Sequence, residues 1–151
     1  MNNTEFNEIC QALAYALQAE ASFEDGDRCS IVIAGIDVLI ELDEEADALK
    51  CYVDLGDPSA DDRPQVCEQL LALNLTTHSN HHGAYAFESG SGRAIFCAQV
   101  MDASLRNAEE LADLVRYYVE ETEYARQLVA SPLTGDSNAS DHGQVFTGAL
   151  V

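Results

Sequence analysis

A chain of 151 residues, 47% of them hydrophobic, is enough for one compact domain and little more. Its 27 Asp and Glu face only 7 Lys and Arg, with Lys50 the sole lysine, and the formal net charge of -20 repels nucleic-acid phosphates and anionic lipid. No apolar run reaches the roughly 18 residues of a membrane span, and the opening MNNTEFNEIC lacks the basic and apolar parts of a signal peptide, so a cytoplasmic protein is expected.

Residues 4–19 predict an amphipathic helix, because Phe6, Ile9, Cys10, Leu13, Ala14 and Leu17 recur at helical spacing while Asn7, Glu8, Gln11 and Gln18 take the other faces. The segment FEDGDR reads as a turn. Three hairpin-linked strands follow over 29–34, 37–42 and 49–55, turning at Gly35 and at 43–47. Val38, Ile40 and Leu42 share one face of the second strand, and Leu49, Cys51, Val53 and Leu55 one face of the third; Ile31, Val32 and Ile33 make the first apolar on both sides.

GDPSADDRP is a loop by composition, and Pro64 suits the first turn of a second helix with Asp61 or Asp62 beside its positive end. Val66, Cys67, Leu70 and Leu71, with Leu75 at the end, form its apolar stripe. Residues 84–88 and 93–101 then read as a hairpin around 90–92. Asn107 with Glu110 is a capping box for a third helix, whose period runs through Leu111, Leu114, Val115, Tyr118, Thr122, Ala125 and Leu128 to about Ala130, with Pro132 beyond. Together these predict an α+β domain over 1–130, an antiparallel sheet of about five strands with three helices in the order α-β-β-β-α-β-β-α. Residues 131–151 read as a polar, disordered tail in which Val145 and Phe146 are the candidates for docking.

Little in the chain points to bond chemistry. His78, His81 and His82 crowd a connector, but structural zinc normally uses two ligand pairs separated by a longer segment, so a polar loop accounts for them. Cys10, Cys29, Cys51, Cys67 and Cys97 are odd in number and widely spaced among apolar neighbours, the pattern of buried reduced thiols. Cys67 or Cys97 beside a histidine would make a nucleophile, yet both lie in apolar patterns. GSGR is followed by a strand where a phosphate loop needs a helix, and the carboxylates around Asp43, Glu44, Glu45 and Asp47 occupy turns with no pair in opposed roles. No catalytic residue, metal site or cofactor is therefore assigned. Apolar faces in excess of what a small domain can bury imply partners instead.

The segments FNEICQALAYAL, DGDRCSIVIAGIDVLIELDEEADALKCYVDLG, PQVCEQLLALNL and AFESGSGRAIFCAQVMDASL, in that order, resemble the class I type III secretion chaperones of Gram-negative bacteria, the Tir-chaperone-like family, from about Phe6 to Leu128. The resemblance implies a homodimer without enzymatic activity. It would hold the N-terminal chaperone-binding segment of a secreted effector extended until the secretion machinery and its ATPase take it. By position it implies an effector-binding set of Phe6, Leu13, Leu17, Ile31, Ile33, Val38, Ile40 and Leu42, and a dimer interface of Leu70, Leu71, Leu73, Tyr85, Phe87 and Phe96. Ordinary core is the first reading of each of these residues, and which face is exposed stays open. Two other readings stand beside it: a small metal-dependent enzyme or sensor built on His78, His81 and His82, and an acidic adaptor or polyanion mimic of the same fold.

Overall fold

The structure, a computed structural model, describes residues 1–77 and 83–134. Helix α1 (Asn3–Leu17) starts where Asn2 accepts from the backbone N–H groups of Thr4 and Glu5, and Glu5 accepts in return from the Asn2 N–H. This reciprocal cap satisfies donors that the first turn otherwise leaves unpaired. Strands β1 (Ala21–Glu24), β2 (Arg28–Ile33), β3 (Ile36–Asp43) and β4 (Ala48–Gly56) follow, then α2 (Arg63–Thr77), β5 (Gly83–Phe87), β6 (Ala94–Val100), a 3-10 turn at Ala103–Leu105, α3 (Ala108–Glu121) and α4 (Glu123–Ala130).

All strand pairs are antiparallel and form one sheet in the order β1-β2-β3-β4-β6-β5. The α+β class and the order of elements are as predicted, with six strands where about five were expected. The additional strand is β1, whose second half, Phe23 and Glu24, opens the stretch read as a turn. It pairs Phe23 with Cys29, and the loop back to β2 is made by Asp25 and Gly26 at φ 53° and 81°, the left-handed region that Asp and Gly tolerate. Four residues are too few to show a strand period against the turn formers beside them.

The third predicted helix is divided at Thr122, whose buried hydroxyl donates to the Tyr118 carbonyl at 2.6 Å and packs the helix break against the core. Arg126 reinforces the break by donating to Thr122 Oγ1 at 2.7 Å and to the Val119 carbonyl at 2.6 Å. Threonine bonding back onto its own helix bends it.

The alternation of each strand sends one set of side chains to a common core: Cys29 and Ile31, Val38 and Ile40, Cys51 and Val53, Phe96 and Ala98. Phe6, Leu13, Val115, Tyr118 and Val129 close that core from the helical layer. The capping box at Asn107 and Glu110 is present. Beyond α4, Leu133 is held to α2: its carbonyl accepts from Gln65 and Gln69 and its N–H donates to Gln69. Residues 135–151, with Val145 and Phe146, lie outside the described residues.

Candidate functional site: partner-binding surfaces

Of the residues assigned to effector binding, Phe6, Leu13, Ile31, Val38, Ile40 and Leu42 are brought together, but inside the domain. Phe6 and Leu13, on α1, meet Ile31, Val38, Ile40 and Leu42 on the covered side of the sheet, so in this chain all six are core. Leu17 and Ile33 are partly buried against the same core and retain a surface. The reason is geometric: period-2 alternation locates an apolar face without saying which side the helices will cover.

The opposite sheet face carries apolar side chains that the first reading did not single out. In-register pairing places Leu39, Tyr52, Cys97 and Ala84 in one row across β3, β4, β6 and β5. Val32, 48% exposed, and Ile95 lie on the same side. The next row is charged, Arg28 opposite Glu41 and Glu41 opposite Lys50, and its cations are already paired: Arg28 Nε lies 3.0 Å from Glu41 and Lys50 Nζ 3.2 Å from Asp43. Arg93 grips Asp54 with two bonds of 2.8 and 2.6 Å, which raises the guanidinium above its ordinary value. These pairs leave the apolar row as the part of this face still able to bury surface.

The dimer set divides in the same way. Leu70, Tyr85 and Phe96 are buried, with the Tyr85 and Phe96 ring centroids 5.2 Å apart. Leu73 and Phe87 are half-buried, and Arg63 stacks over the Phe87 ring at 5.4 Å. Leu71 is 68% exposed and Leu75, on the same flank of α2, 56%. The apolar stripe predicted for α2 therefore splits: Val66 and Leu70 turn inward, Leu71 and Leu75 outward.

Asn74, which sequence reasoning passed over, fixes α2 to β5. Its side-chain amide donates to the Tyr85 carbonyl at 2.9 Å and its oxygen accepts from the Tyr85 N–H at 2.6 Å. A side chain here occupies backbone groups that an edge strand would otherwise offer to another strand. Close packing across β5 and β6 also requires a glycine, since a Cβ on Gly83 would lie 2.4 Å from the Phe96 ring.

The turn carboxylates are engaged locally. Asp47 accepts from the Ser104 hydroxyl at 2.6 Å, which with the neighbouring N–H lowers its carboxyl below the ordinary value. The Ala46 N–H and Lys50 do the same for Asp43, and Ser91 for Glu88. An open cleft of about 300 Å³ between the hairpin turns is lined by Asn3, Asp27, Leu42, Asp43, Glu44, Glu45 and Lys50. Burial raises the Cys97 thiol, the reverse of what a nucleophile needs, and holds Cys51 up at about 12. His78, His81 and His82 lie outside the described residues; among the described residues no group of three or more His, Cys, Asp or Glu is placed to hold a metal ion. No helix among them is long and apolar enough to cross a membrane.

A model of the Tir chaperone protein (CesT) family matches residues 8–126. No curated protein sequence matches significantly. Among solved structures, a chain of the ExsC–ExsE complex superposes with a TM-score of 0.67 at 16% identity, covering 85% of this chain and 97% of that one. A chain of the HopA1–SchA chaperone–effector complex gives 0.64 at 18% identity, covering 83% and 95%. A chain of the heterodimeric ExoU–SpcU complex from the type III secretion system of Pseudomonas aeruginosa gives 0.57 at 22% identity, covering 83% and 99%. At these identities the three establish a shared fold.

Proposed function

The chain belongs to the Tir chaperone protein (CesT) family, and we propose that it acts in the bacterial cytoplasm as a type III secretion chaperone. It binds the N-terminal segment of one or a few effectors and keeps that segment extended and soluble, without bond chemistry or cofactor. The observation that carries this reading is the family match over 8–126, supported by a fold shared with chains from chaperone–effector complexes.

The surfaces suit the role. An extended segment can insert apolar side chains where Leu17, Ile33 and Val32 remain accessible, over the support given by Phe6, Leu13, Ile31, Val38, Ile40 and Leu42. Such binding is ordinary apolar burial of about 25 cal/mol per Å². The net charge of -20 keeps the loaded complex soluble. A homodimer places Leu71 against its copy through α2, with Leu75 extending the patch and Leu70, Leu73, Tyr85, Phe87 and Phe96 beneath. The loaded complex then hands the effector to the secretion-system ATPase.

The test is to delete the protein's coding sequence in its own bacterium and follow secreted effectors. The expected result is loss of secretion of one or a few effectors, restored by the wild-type chain, with those same effectors co-purifying with it. An unchanged secretome refutes the reading.

A further inference from the structure

Helix α2 carries two side-chain amides that each hold the backbone of a residue outside the helix. Asn74 does so with Tyr85 of β5. Gln69 does the same with Leu133, donating to its carbonyl at 3.0 Å and accepting from its N–H at 3.3 Å, and Gln65 donates to that carbonyl as well. The first clamp fixes a strand of the sheet. The second fixes the chain just after α4 has ended at Ala130, so whatever follows Leu133 sets out from the surface of α2.

That surface differs from its surroundings. In a chain of net charge -20, α2 has no charged side chain between Glu68 and its last residue, Thr77. With about 3.6 residues per turn, its outer side runs from Gln69 through exposed Ala72 and Leu75 to Leu71, the two leucines 56% and 68% exposed. The open sheet face is the other apolar surface, but the charged row of Arg28, Glu41 and Lys50 crosses it.

The chain beyond Leu133 carries a segment of matching chemistry. Residues 135–144, GDSNASDHGQ, are polar, whereas residues 145–151, VFTGALV, are mostly apolar and have no charged side chain. At full extension the polar part spans about 33–36 Å. Helix α2, 15 residues long, measures about 22 Å. Starting from Gln69, the segment 145–151 can therefore reach any point on the helix.

We propose that residues 145–151 dock on the Leu71 and Leu75 flank of α2 as an intramolecular strap, Phe146 covering the leucines, and that the strap competes with a second copy for that flank. Tethering makes a weak contact sufficient. A short linker presents its segment at an effective concentration on the order of mM, enough to half-fill a site of mM affinity. The strap holds the flank when the protein is dilute, and a second copy displaces it at higher concentration. A strap closed half of the time leaves each copy competent half of the time, which weakens a twofold dimer about fourfold. The competition rests on the dimer reading above; the docking does not.

The test places p-benzoylphenylalanine at position 146 of the full-length chain and irradiates it in dilute solution. The expected product has the mass of one chain and joins residue 146 to residues 68–76 of α2. A product confined to two-chain species, a link elsewhere in the domain, or no link at all overturns the docking. The competition is read by sedimentation velocity on the double variant Val145→Ser, Phe146→Ser, whose dimer dissociation constant should fall about fourfold. An unchanged constant refutes the competition. A chain that is monomeric with and without the two substitutions fails the dimer reading instead, and the cross-link alone then decides the docking.

Discussion

Replacing Leu71 with Asp separates the proposed dimer face from the core beneath it. Leu71 is 68% exposed in the single chain, so the substitution removes little intramolecular packing and the isolated domain should change by less than about 0.5 kcal/mol. Full burial of a leucine stabilises by about 1.5–3 kcal/mol, and the part still exposed here scales that to roughly 1–2 kcal/mol per copy. A twofold interface counts the residue twice, giving about 2–4 kcal/mol, before the cost of burying a carboxylate is added. At about 1.4 kcal/mol per decade, the dimer dissociation constant should rise some 30- to 1,000-fold. Sedimentation velocity across a dilution series reads this directly, with the urea midpoint as a check on folding. The contrasting substitution is Leu70→Asp: one position away but 2% exposed, it should unfold the chain. A Leu71→Asp chain that stays folded and dimeric at the wild-type dissociation constant refutes the assignment of this flank of α2.

Three further outcomes are expected. Ala34, at φ 50° before Gly35 in the two-residue β2–β3 turn, adopts a left-handed conformation that costs an alanine about 1 kcal/mol, so Ala34→Asn should stabilise the domain by about 0.5–1 kcal/mol, read as a higher urea midpoint at an unchanged m-value; a lower midpoint would contradict the left-handed turn. Asn74→Ala removes both bonds to the Tyr85 backbone and should cost about 2 kcal/mol and speed exchange of the Tyr85 amide; a loss below about 0.5 kcal/mol would mean water replaces the side chain. Asp47 has a folded-state pKa below its unfolded one, so its contribution is present above the ordinary carboxylate pKa of about 3.9 and is lost as pH falls through the lower folded value. The stability gap between wild type and Asp47→Asn should therefore be widest near neutral pH and close on acidification, while relief of carboxylate repulsion acts on both chains alike; a gap constant with pH would contradict the Ser104 contact as its source.

Much of the fold was legible because its signals are periodic. The alternation in β3 and β4 and the 3.6-residue stripe of α1 point to one core, and Asn107 with Glu110 marks the start of α3. What escaped is set by contacts distant in sequence. Strand β1 exists through its pairing with β2, and the break at Thr122 depends on a hydroxyl that bonds back to Tyr118 only when the helix packs there. An Asn74 inside an apolar stripe was the available signal for a helix-to-strand clamp, since an amide drawn part-way out of water must find partners.

The surfaces were less legible than the fold for a more basic reason. A leucine beneath a helix and a leucine awaiting a partner obey the same burial energetics, so the pattern that identifies Leu13 and Val38 as apolar positions cannot say whether the covering layer is intramolecular. In α2 the ambiguity resolves within one residue: Leu70 meets the sheet and Leu71 meets solvent. Under the proposed function, partner binding would use the apolar residues that the chain's own helices leave partly or wholly uncovered: Leu17 and Ile33 at the margin of the core, Val32 on the open sheet face, and Leu71 and Leu75 on α2. Substitutions at Ile31 or Val38 would therefore abolish binding by unfolding the domain, and only those at the uncovered set can separate recognition from stability.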